Sequence, residues 1–494
     1  MTPRDLQTFF DAHAQRNWVK HYFSFEVATF ERLLQHRDET FWNTLGARRA
    51  IKLFHDAAVR VPAYKDFLRT NRIRHGAVKT IEDFALVPRT TKENYINHYS
   101  LSDRCWDGKL AATSIVAMSS GTSGEPKFWP RSGFSEFEAA IIHELTYRSL
   151  FSIHKKRTLL VIGFPMGVYV SGIATLLPSW MVAQRDYDLT IVAAGNNKAD
   201  MQRVTQHLRT AFDQVVLIGH PFFIKDVLET GAAEGVDWST ITTSLLFCSE
   251  GFNEQWRDHV ASVAGSAPDS VRIFNTYGSS ETLLIGHETP VSIALRKTMN
   301  DTLTPNIFQY NPFLRYLDIT DGILNFTLNS GVPLIKYDLA DGGTILPFSE
   351  ATQHLSPSLR RSAWKLPFVT LDGRRDNTII FYAANIYPEH IHAALNDKKF
   401  LRSITGKFAM RKEYLKNKDE FLEIHVELRP RQKVTAALAT AIAKHTTSRL
   451  LDINMEYKFL WSNLDKDIRP RVILHPYQCE PYFRAGLKPR YIIK

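Results

Sequence analysis

The chain has 494 residues and a mass of 56.6 kDa. At roughly 100–200 residues per domain, that length predicts two to four domains. Hydrophobic residues make up 44% and charged residues 23% of the chain, which excludes disordered and collagen-like proteins. Cys105, Cys248 and Cys479 lie far apart and form no Cys-x-x-Cys pair. This excludes a disulfide scaffold and a cysteine-based zinc site, and it predicts a reducing, cytoplasmic location.

The positive charge is concentrated in the last quarter of the chain. The net charge is +10, and residues 377–494 contain 21 Lys and Arg against 12 Asp and Glu. Such a region is typical of a surface that meets nucleic acid, an anionic membrane, a phosphorylated ligand or an acidic protein, and equally of an ordinary solvated face. Because acidic residues are interspersed and no nucleic-acid-binding signature occurs, we expect no nucleic-acid partner.

No membrane insertion is expected either. The first sixteen residues contain no apolar core of a signal peptide. Residues 158–184 carry no charge and are long enough to span a bilayer, but three glycines and two prolines interrupt them. We interpret this stretch as a buried strand at 158–164 and a short buried helix at 171–177.

In chain order, the first hundred residues predict helices at 6–23, 25–34 and 47–59. Short apolar runs then alternate with amphipathic segments, as expected for βαβ units and a largely parallel sheet. The predicted strands are 158–164, 189–193, 214–218, 244–248 and 271–275, and the predicted helices between them are 198–212 and 253–263.

A smaller unit is predicted at the C-terminus. Its predicted elements are a strand at 378–382, a helix at 388–395, strands at 403–410 and 420–428, a helix at 433–449 and a strand at 455–461. The predicted fold is therefore a large α/β N-terminal domain, residues 1–375, with mostly parallel sheets flanked by helices. A small mobile α+β C-terminal domain, residues 376–494, follows it as a basic lid.

Two polar motifs follow predicted strands. Residues 119–127 read Ser-Ser-Gly-Thr-Ser-Gly-Glu-Pro-Lys, in which backbone N–H groups, hydroxyls and one lysine suit a triphosphate. The motif is not a Walker P-loop, and a polar loop with an incidental lysine is the alternative. Residues 275–282 read Asn-Thr-Tyr-Gly-Ser-Ser-Glu-Thr, where Tyr277 can stack on a purine and Glu281 can hold Mg²⁺. An ordinary strand-end turn explains this second motif equally well.

Taken in order with three further segments, these motifs resemble the adenylate-forming superfamily of acyl-CoA synthetases, adenylation domains and luciferases. The further segments are 334–341 (Leu-Ile-Lys-Tyr-Asp-Leu-Ala-Asp), 373–376 (Gly-Arg-Arg-Asp) and 481–490, which ends in Gly-Leu-Lys-Pro-Arg. The N-terminal segments 57–64, 81–84 and 86–92 resemble the phenylacetate–CoA ligase branch.

The resemblance implies a biosynthetic ligase that uses ATP and Mg²⁺ to convert a small carboxylic acid into an acyl-AMP, with release of pyrophosphate. The acyl group would then pass to a thiol, on coenzyme A or a carrier protein, or to an amine. By resemblance, the phosphates are held by Ser119, Ser120, Gly121, Thr122, Ser123, Gly124 and Lys127. AMP is also held by Tyr277, Gly278 and Ser280, Mg²⁺ by Glu281, and the ribose by Asp341 and Arg374, with a hinge at Asp376. The catalytic residues would be Lys488, Thr122 and Glu281.

The acid pocket is expected where predicted strands end, because ligand sites of α/β sheets lie at that edge. Its candidate residues are Tyr169, Ser171, His220, Phe222, Ser249 and Gly251. The aromatic side chains favour an aryl or heteroaryl acid over a long acyl chain. For His220, the role of an ordinary core histidine is an equal alternative.

The chain departs from the family pattern at several positions. Lys336 and Ala340 replace the usual Arg and Gly before Asp341, and Ala383 replaces a glycine that flanks the thiol tunnel. Lys466 is a rival to Lys488 for the adenylation lysine. The sequence therefore predicts adenylation and leaves thiol transfer open. Adenylylation of a non-carboxylate oxygen, such as a cofactor hydroxyl, is the main alternative, followed by a nucleic-acid module and a catalytically inactive homologue.

Overall fold

The chain divides between Gly373 and Arg374 in the computed structural model. The larger unit runs to Ser119 and from Phe128 to Gly373, and the smaller unit continues from Arg374. The structure describes residues 3–12, 18–112, 115–119, 127–266, 272–299, 306–464, 466–483 and 491–492.

The larger unit begins with helices. These are α1 Pro3–Ala12, α2 Trp18–Ser24, α3 Val27–His36, α4 Glu39–Arg60, α5 Pro62–Thr70, α6 Ile81–Ala85 and α7 Leu101–Arg104. The helix predicted over 6–23 is helical in its described parts, α1 and α2, and residues 13–17 lie outside the described residues. Helix α4 begins where Asp38 accepts a hydrogen bond from the Phe41 N–H, and it ends before Pro62, which starts α5.

A nine-stranded mixed sheet forms the centre of this unit. The strands of the unit are β1 Ile115–Ser119, β2 Lys127–Arg131, β3 Thr158–Ile162, β4 Leu189–Ala193, β5 Gln214–Gly219, β6 Thr243–Phe247, β7 Ile273–Ser279, β8 Leu283–His287, β9 Asn306–Tyr310, β10 Tyr316–Thr320, β11 Ile323–Leu328, β12 Leu334–Gly342, β13 Ile345–Leu346, β14 Phe368–Leu371 and β15 Gly373–Arg374. The strand order of the sheet is β13-β14-β9-β8-β7-β6-β5-β3-β4. Strands β4, β3, β5, β6 and β7 are parallel, and the remaining pairs are antiparallel. The predicted α/β class is confirmed, and its parallel part is one side of the sheet.

The remaining helices of the larger unit are α8 Gly133–Phe151, α9 Val170–Ala183, α10 Lys198–Leu208, α11 Pro221–Ala233, α12 Glu254–Val263, α13 Pro290–Met299, α14 Phe348–Ala351 and α15 Pro357–Ser362. Helix α9 is longer than the predicted helix at 171–177 because it continues through Pro178. A proline inside a helix costs about 3 kcal/mol, and burial of the apolar side chains of Val170, Met181 and Val182 opposes that cost. Among the described residues, no helix has the length and apolar character needed to cross a membrane.

A second sheet of the larger unit has the order β10-β11-β12-β15, and the segment around Thr90 runs beside it. The Thr90 N–H donates to the Lys336 carbonyl at 3.1 Å, and the Asp338 N–H donates to the Thr90 carbonyl at 2.9 Å. The 86–92 segment, which the branch prediction used, therefore lies beside the 334–341 segment.

The smaller unit is α+β. Its elements are β16 Ile379–Phe381, β17 Ala384–Ile386, α16 Pro388–Leu395, β18 Ile404–Tyr414, β19 Glu420–Leu428, α17 Ala436–Ile453, α18 Met455–Asn463 and β20 Arg471–His475. The strand predicted at 455–461 is wrong, because this segment is helix α18. The side chain of Asn454 caps the helix by accepting from the Tyr457 N–H, and β20 instead forms the third strand by pairing parallel to β19.

All three residues that replace the family's usual Arg or Gly lie in left-handed backbone. Lys336 has φ 45°, Ala340 has φ 64° and Ala383 has φ 67°. Ala383 follows Tyr382, with φ 46°, in the two-residue turn of the β16–β17 hairpin, whose register pairs Phe381 with Ala384. Two positive φ angles define a type I′ turn, in which glycine is preferred at the second position. The methyl group of Ala383 therefore strains this turn.

Replacing Ala383 with glycine should stabilise the protein. We expect Ala383→Gly to raise the free energy of unfolding by about 1 kcal/mol, because relief of left-handed strain exceeds the added freedom of glycine in the unfolded chain. Chemical denaturation followed by circular dichroism measures the change. Ala384→Gly is the matched control, since Ala384 is buried in β17, and it should destabilise instead. Equal destabilisation by both variants would contradict the assignment of strain.

Candidate functional site

The carboxyl ends of β5, β6 and β7 lie at one edge of the sheet. The parallel register pairs Gly219 with Phe247 and Phe247 with Asn275. The residues that follow β5 and β6 are therefore neighbours of the second half of β7. This edge contains His220, Ser249, Gly251 and the 275–282 motif, which the sequence analysis assigned to the acid and nucleotide sites.

Tyr277 and Asp341 meet through a direct hydrogen bond. The Tyr277 hydroxyl donates to Asp341 Oδ2 at 2.7 Å, so that β7 and β12 are joined across 64 residues of chain. The Tyr277 ring stacks on Phe308 with centroids 5.6 Å apart and meets the edge of Phe326 at 6.1 Å. The ring is thus fixed on one face, and its hydroxyl holds a carboxylate. The sequence motifs predict both residues for the nucleotide site, but they do not predict the hydrogen bond between them.

Glu281 lies in the turn between β7 and β8. Ser279 Oγ accepts hydrogen bonds from the N–H groups of Glu281 and Thr282, both at 3.2 Å. The Glu281 carboxylate is only 8% exposed and lies 3.8 Å from the ammonium of Lys92, the residue that ends the 86–92 segment. Burial, together with the nearby Glu281 carboxylate, holds the pKa of the Tyr337 phenol well above its usual range. Lys92 was not among the predicted site residues, although its segment was singled out.

The turn needs glycine at its entrance. A Cβ on Gly278 would lie 2.5 Å from the Leu283 carbonyl oxygen, and the register of β7 with β8 is irregular between Tyr277 and Gly278. Ser280 occupies the turn itself, next to Glu281. The local backbone therefore brings the Glu281 carboxylate to the end of the strand that carries Tyr277.

The donor chemistry at Glu281 fits a magnesium–nucleotide complex. No group of three or more His, Cys, Asp or Glu side chains able to hold a metal ion occurs within the described ranges. Mg²⁺ is commonly bound by one or two carboxylates together with substrate phosphates and water, so a single partly buried carboxylate suits it. Glu281 would then hold the ion only when a phosphorylated substrate is present.

Only the two ends of the predicted phosphate loop lie within the described residues. Ser119 ends β1 and Lys127 begins β2, which pairs with it. Trp129 Nε1 donates to Ser119 Oγ at 2.9 Å, which fixes the first hydroxyl of the loop. Ser120, Gly121, Thr122, Ser123 and Gly124 lie outside the described residues.

The predicted acid-pocket residues differ in their surroundings. Tyr169 precedes α9 and forms an isolated parallel β-bridge with Met118 of β1. Ser171 lies in the first turn of α9. Phe222 is 2% exposed and packs against Trp256, with ring centroids 5.4 Å apart. Ser249 has φ 83°, and a Cβ on Gly251 would lie 2.1 Å from Asn306 Nδ2. The loop after β6 is therefore tightly folded against its neighbours.

His220 is the polar side chain at the end of β5. Its ring meets the edge of Phe164, which follows β3, with centroids 5.0 Å apart. Burial lowers the pKa of His220 to about 4, and a hydrogen bond to the Cys248 backbone only partly opposes this shift. The imidazole is therefore neutral at physiological pH.

A buried ion network that the sequence analysis missed supports this edge. Glu288 is fully buried and accepts from Arg257 at 2.7 Å, from Arg296 at 2.8 Å and from the Asn275 N–H at 2.7 Å. Arg296 also donates to the Phe252 carbonyl at 2.6 Å, in the loop after β6. Glu288 thus fixes the 275–282 motif and the Ser249–Gly251 loop together. The sequence shows Glu254 and Arg257 three residues apart in α12, but it does not show that Arg257 also pairs with Glu288, which lies outside that helix.

Loss of the Glu288 charge should destabilise the larger unit strongly. Glu288→Gln leaves two buried guanidinium groups with only the partly exposed carboxylate of Glu254, and we expect the free energy of unfolding to fall by about 3 kcal/mol. Glu254→Gln is the matched control, because Glu254 contacts the same two arginines but is 21% exposed. It should cost about 1 kcal/mol or less. Denaturant titration measures both, and equal costs would contradict the role given to Glu288.

In the smaller unit, the predicted hinge residue pairs with a predicted ribose ligand. Arg374 donates to both oxygens of Asp376, at 3.0 and 2.6 Å. Burial opposes ionisation of Asp376, but Arg374 and Thr378 outweigh it and hold the pKa of this carboxyl below its usual value. Lys466 donates to Asp419 at 2.7 Å. Lys488 lies outside the described residues.

Comparison with solved structures finds the same fold in a 2-hydroxyisobutyryl-CoA ligase. Its structure with 2-HIB-AMP and CoA in the thioesterification state matches with a TM-score of 0.68 and 15% identity, over 94% of this chain and 91% of that chain. Its open conformation with 2-HIB-AMP and CoA matches with a TM-score of 0.56 and 16% identity, over 93% of each chain. Its postadenylation state with 2-HIB-AMP gives 0.55 and 15%, over 94% of this chain and 91% of that chain.

No protein-family model matches the chain, and no curated protein matches it by sequence. At 15–16% identity the structural matches establish the fold. The predicted fold, a large α/β unit followed by a small α+β unit, is therefore confirmed, and this CoA ligase has the same fold. The phenylacetate–CoA ligase-like branch stays a prediction.

Proposed function

We propose that this protein is an ATP-dependent ligase of the adenylate-forming superfamily that activates a small carboxylic acid as an acyl-AMP. The observation that supports this most strongly is the hydrogen bond between Tyr277 and Asp341. Two residues that the resemblance assigns to the nucleotide come from distant segments and touch. Glu281, assigned to Mg²⁺, follows Tyr277 in the same strand-end motif.

The proposed reaction is an in-line displacement. A carboxylate oxygen of the acid attacks the α-phosphorus of ATP, a new P–O bond forms, the bond between the α-phosphorus and the bridging oxygen breaks, and pyrophosphate leaves. Because both reactants are anionic, catalysis depends mainly on positioning and charge neutralisation. Bound Mg²⁺ would neutralise part of the triphosphate charge. Asp341 would accept hydrogen bonds from the ribose hydroxyls while the Tyr277 hydroxyl fixes its orientation.

The acid is proposed to be an aryl or heteroaryl acid. The expected pocket lies at the carboxyl ends of β5, β6 and β7, where His220, after β5, packs against Phe164 and where Tyr277 lies in β7. Flat aromatic acids pack well against such side chains.

For the second half-reaction we propose transfer of the acyl group to a thiol, on coenzyme A or a carrier protein, or to an amine. In that step the acceptor attacks the acyl carbon and AMP leaves with one oxygen of the original carboxylate. The excess of Lys and Arg in residues 377–494 suits the phosphates of coenzyme A or an acidic carrier protein. Ala383 favours a second candidate, adenylylation of a hydroxyl group without thiol transfer, because its methyl occupies a turn where the family has glycine.

ATP–pyrophosphate exchange against a panel of aryl, heteroaryl, amino and fatty acids tests the first half-reaction. We expect exchange that depends on one class of acid, with Mg²⁺ present and no acceptor. A folded protein that binds ATP but exchanges with no acid would overturn acyl-AMP formation and favour the hydroxyl alternative.

Asp341 should contribute to nucleotide affinity. We expect Asp341→Asn to weaken ATP binding by about 10- to 100-fold, because two charge-assisted hydrogen bonds to the ribose are lost. Isothermal titration with a non-hydrolysable ATP analogue measures this. Asp321→Asn is the control. The Asp321 side chain is 78% exposed, and its 3.6 Å ion pair with Arg89 is a weak surface contact. An unchanged affinity in Asp341→Asn would contradict the ribose assignment.

The two candidate lysines can be separated by substitution. We expect Lys488→Ala to lower the exchange rate by about 10²–10³-fold with ATP affinity nearly intact, as for loss of a charge that stabilises the transition state. Lys466→Ala should leave exchange close to normal, because the ammonium of Lys466 is engaged by Asp419. Normal exchange in Lys488→Ala with loss in Lys466→Ala would assign the role to Lys466.

A further inference from the structure

Strand β19 of the smaller unit buries polar side chains as well as apolar ones. Its side chains alternate between two faces, with Ile424 and Val426 on one face and His425 and Glu427 on the other. His425 is 1% exposed and Glu427 is fully buried. Histidine and glutamate on a strand normally face water, so another part of the chain covers this polar face.

The cover is the segment that follows β20. The Gln478 N–H donates to Glu427 Oε1 at 2.9 Å. The ring of Tyr482 stacks on that of His425, with centroids 4.4 Å apart and planes inclined by 16°. It also packs against His475, the last residue of β20, with centroids 4.4 Å apart. The chain after β20 therefore folds back over β19.

The two histidines form one platform for the Tyr482 ring. His425 Nδ1 and His475 Nε2 are 2.9 Å apart and form a hydrogen bond, in which one nitrogen donates and the other accepts. Burial lowers the pKa of both imidazoles, so the pair is uncharged at neutral pH. Phe483, which is 4% exposed, packs against the edge of His475 with centroids 5.7 Å apart. A ring stacked on a hydrogen-bonded pair has a more defined orientation than an apolar side chain on an apolar surface.

The same sheet holds the chain a second time, a few residues later. The Met410 N–H of β18 donates to the Tyr491 carbonyl at 2.6 Å, and Met410 forms a parallel β-bridge with Ile492. Ala409, next to Met410, pairs with His425 in the register of β18 with β19. The contacts of Tyr482 and of Tyr491 therefore lie at neighbouring positions of one sheet.

Lys488, the lysine expected to act in adenylation, lies between these two contacts in the sequence. We propose that the stack of Tyr482 on His425 and His475 positions Lys488 for the transfer to the α-phosphorus. This inference rests on the proposed acyl-AMP formation with Lys488 as its lysine, and it adds Tyr482 as a positioning residue that acts through Lys488. Loss of the stack leaves the ammonium of Lys488 present but misplaced, which lowers the rate of the chemical step and not the affinity for ATP.

Substitution of Tyr482 tests this role. Tyr482→Leu keeps an apolar side chain but removes the flat ring, and we expect kcat for pyrophosphate exchange to fall by about 10- to 100-fold with the affinity for ATP unchanged. Tyr482→Phe keeps the ring that makes the stack and should restore a rate close to that of the wild type. Tyr477→Leu is the matched control, because Tyr477 lies in the same segment but is 44% exposed, and its kcat should not change.

A double variant separates positioning from general damage to the smaller unit. If Tyr482 acts through Lys488, Tyr482→Leu combined with Lys488→Ala should exchange at the rate of Lys488→Ala alone. A further fall as large as that caused by Tyr482→Leu in the wild-type protein would overturn the positioning role. A normal kcat in Tyr482→Leu, or a rate in Tyr482→Phe as low as in Tyr482→Leu, would overturn it as well.

Failure of the proposed function gives a different result. If the wild-type protein supports no exchange with any acid, acyl-AMP formation fails and the positioning role fails with it. If exchange occurs and depends on Lys488 but not on the ring of Tyr482, only the positioning role is overturned and acyl-AMP formation stands.

Discussion

A single buried carboxylate, Glu288, holds together the sheet edge on which the proposed chemistry depends. It is enclosed with the guanidinium groups of Arg257 and Arg296 and accepts the Asn275 N–H. Desolvation of an isolated carboxylate would be very unfavourable, so the arrangement persists only because each oxygen has charged or backbone donors. Arg296 extends the network to the Phe252 carbonyl. The strand that carries Tyr277 and the loop that follows β6 are thereby fixed to the same anchor.

The proposed nucleotide side of the site is connected to Glu288 through Asn275. Asn275 begins the motif, two residues later Tyr277 reaches across to Asp341, and the turn at Ser279 presents Glu281. Positioning of this kind suits a reaction between two anions, in which the protein mainly orients groups and supplies fixed charge. The supporting arginines come from α12 and α13, so residues outside the 275–282 motif hold this strand end.

Local patterns predicted much of this fold from the sequence. Strand β4 and helix α16 have the predicted bounds, because a short β-branched run and a proline at the first helical position are local signals. Helix α18 was missed because Met455 to Phe459 alternates apolar and polar residues like a strand, and only the cap from Asn454 and the pairing of β20 with β19 decide it. The residues of the 275–282 motif are predicted individually from the sequence, whereas their hydrogen bonds to Asp341 and Glu288 are not.

Lys336 illustrates what sequence alone could not show. It was interpreted only as a loss of the usual arginine, yet its ammonium donates to the Ala85 carbonyl at 2.8 Å and lies 3.6 Å from Asp318. Lys336 therefore joins α6 and β12 through a partly buried hydrogen bond between residues 251 positions apart in sequence.

The most direct measurement follows an oxygen atom through the reaction. The acid is labelled with ¹⁸O in its carboxylate, turned over with ATP and an acceptor amine or thiol, and the AMP is analysed by mass spectrometry. If the carboxylate attacks the α-phosphorus, AMP carries one ¹⁸O. Unlabelled AMP, or AMP that stays attached to a substrate hydroxyl, would contradict the formation of an acyl-AMP.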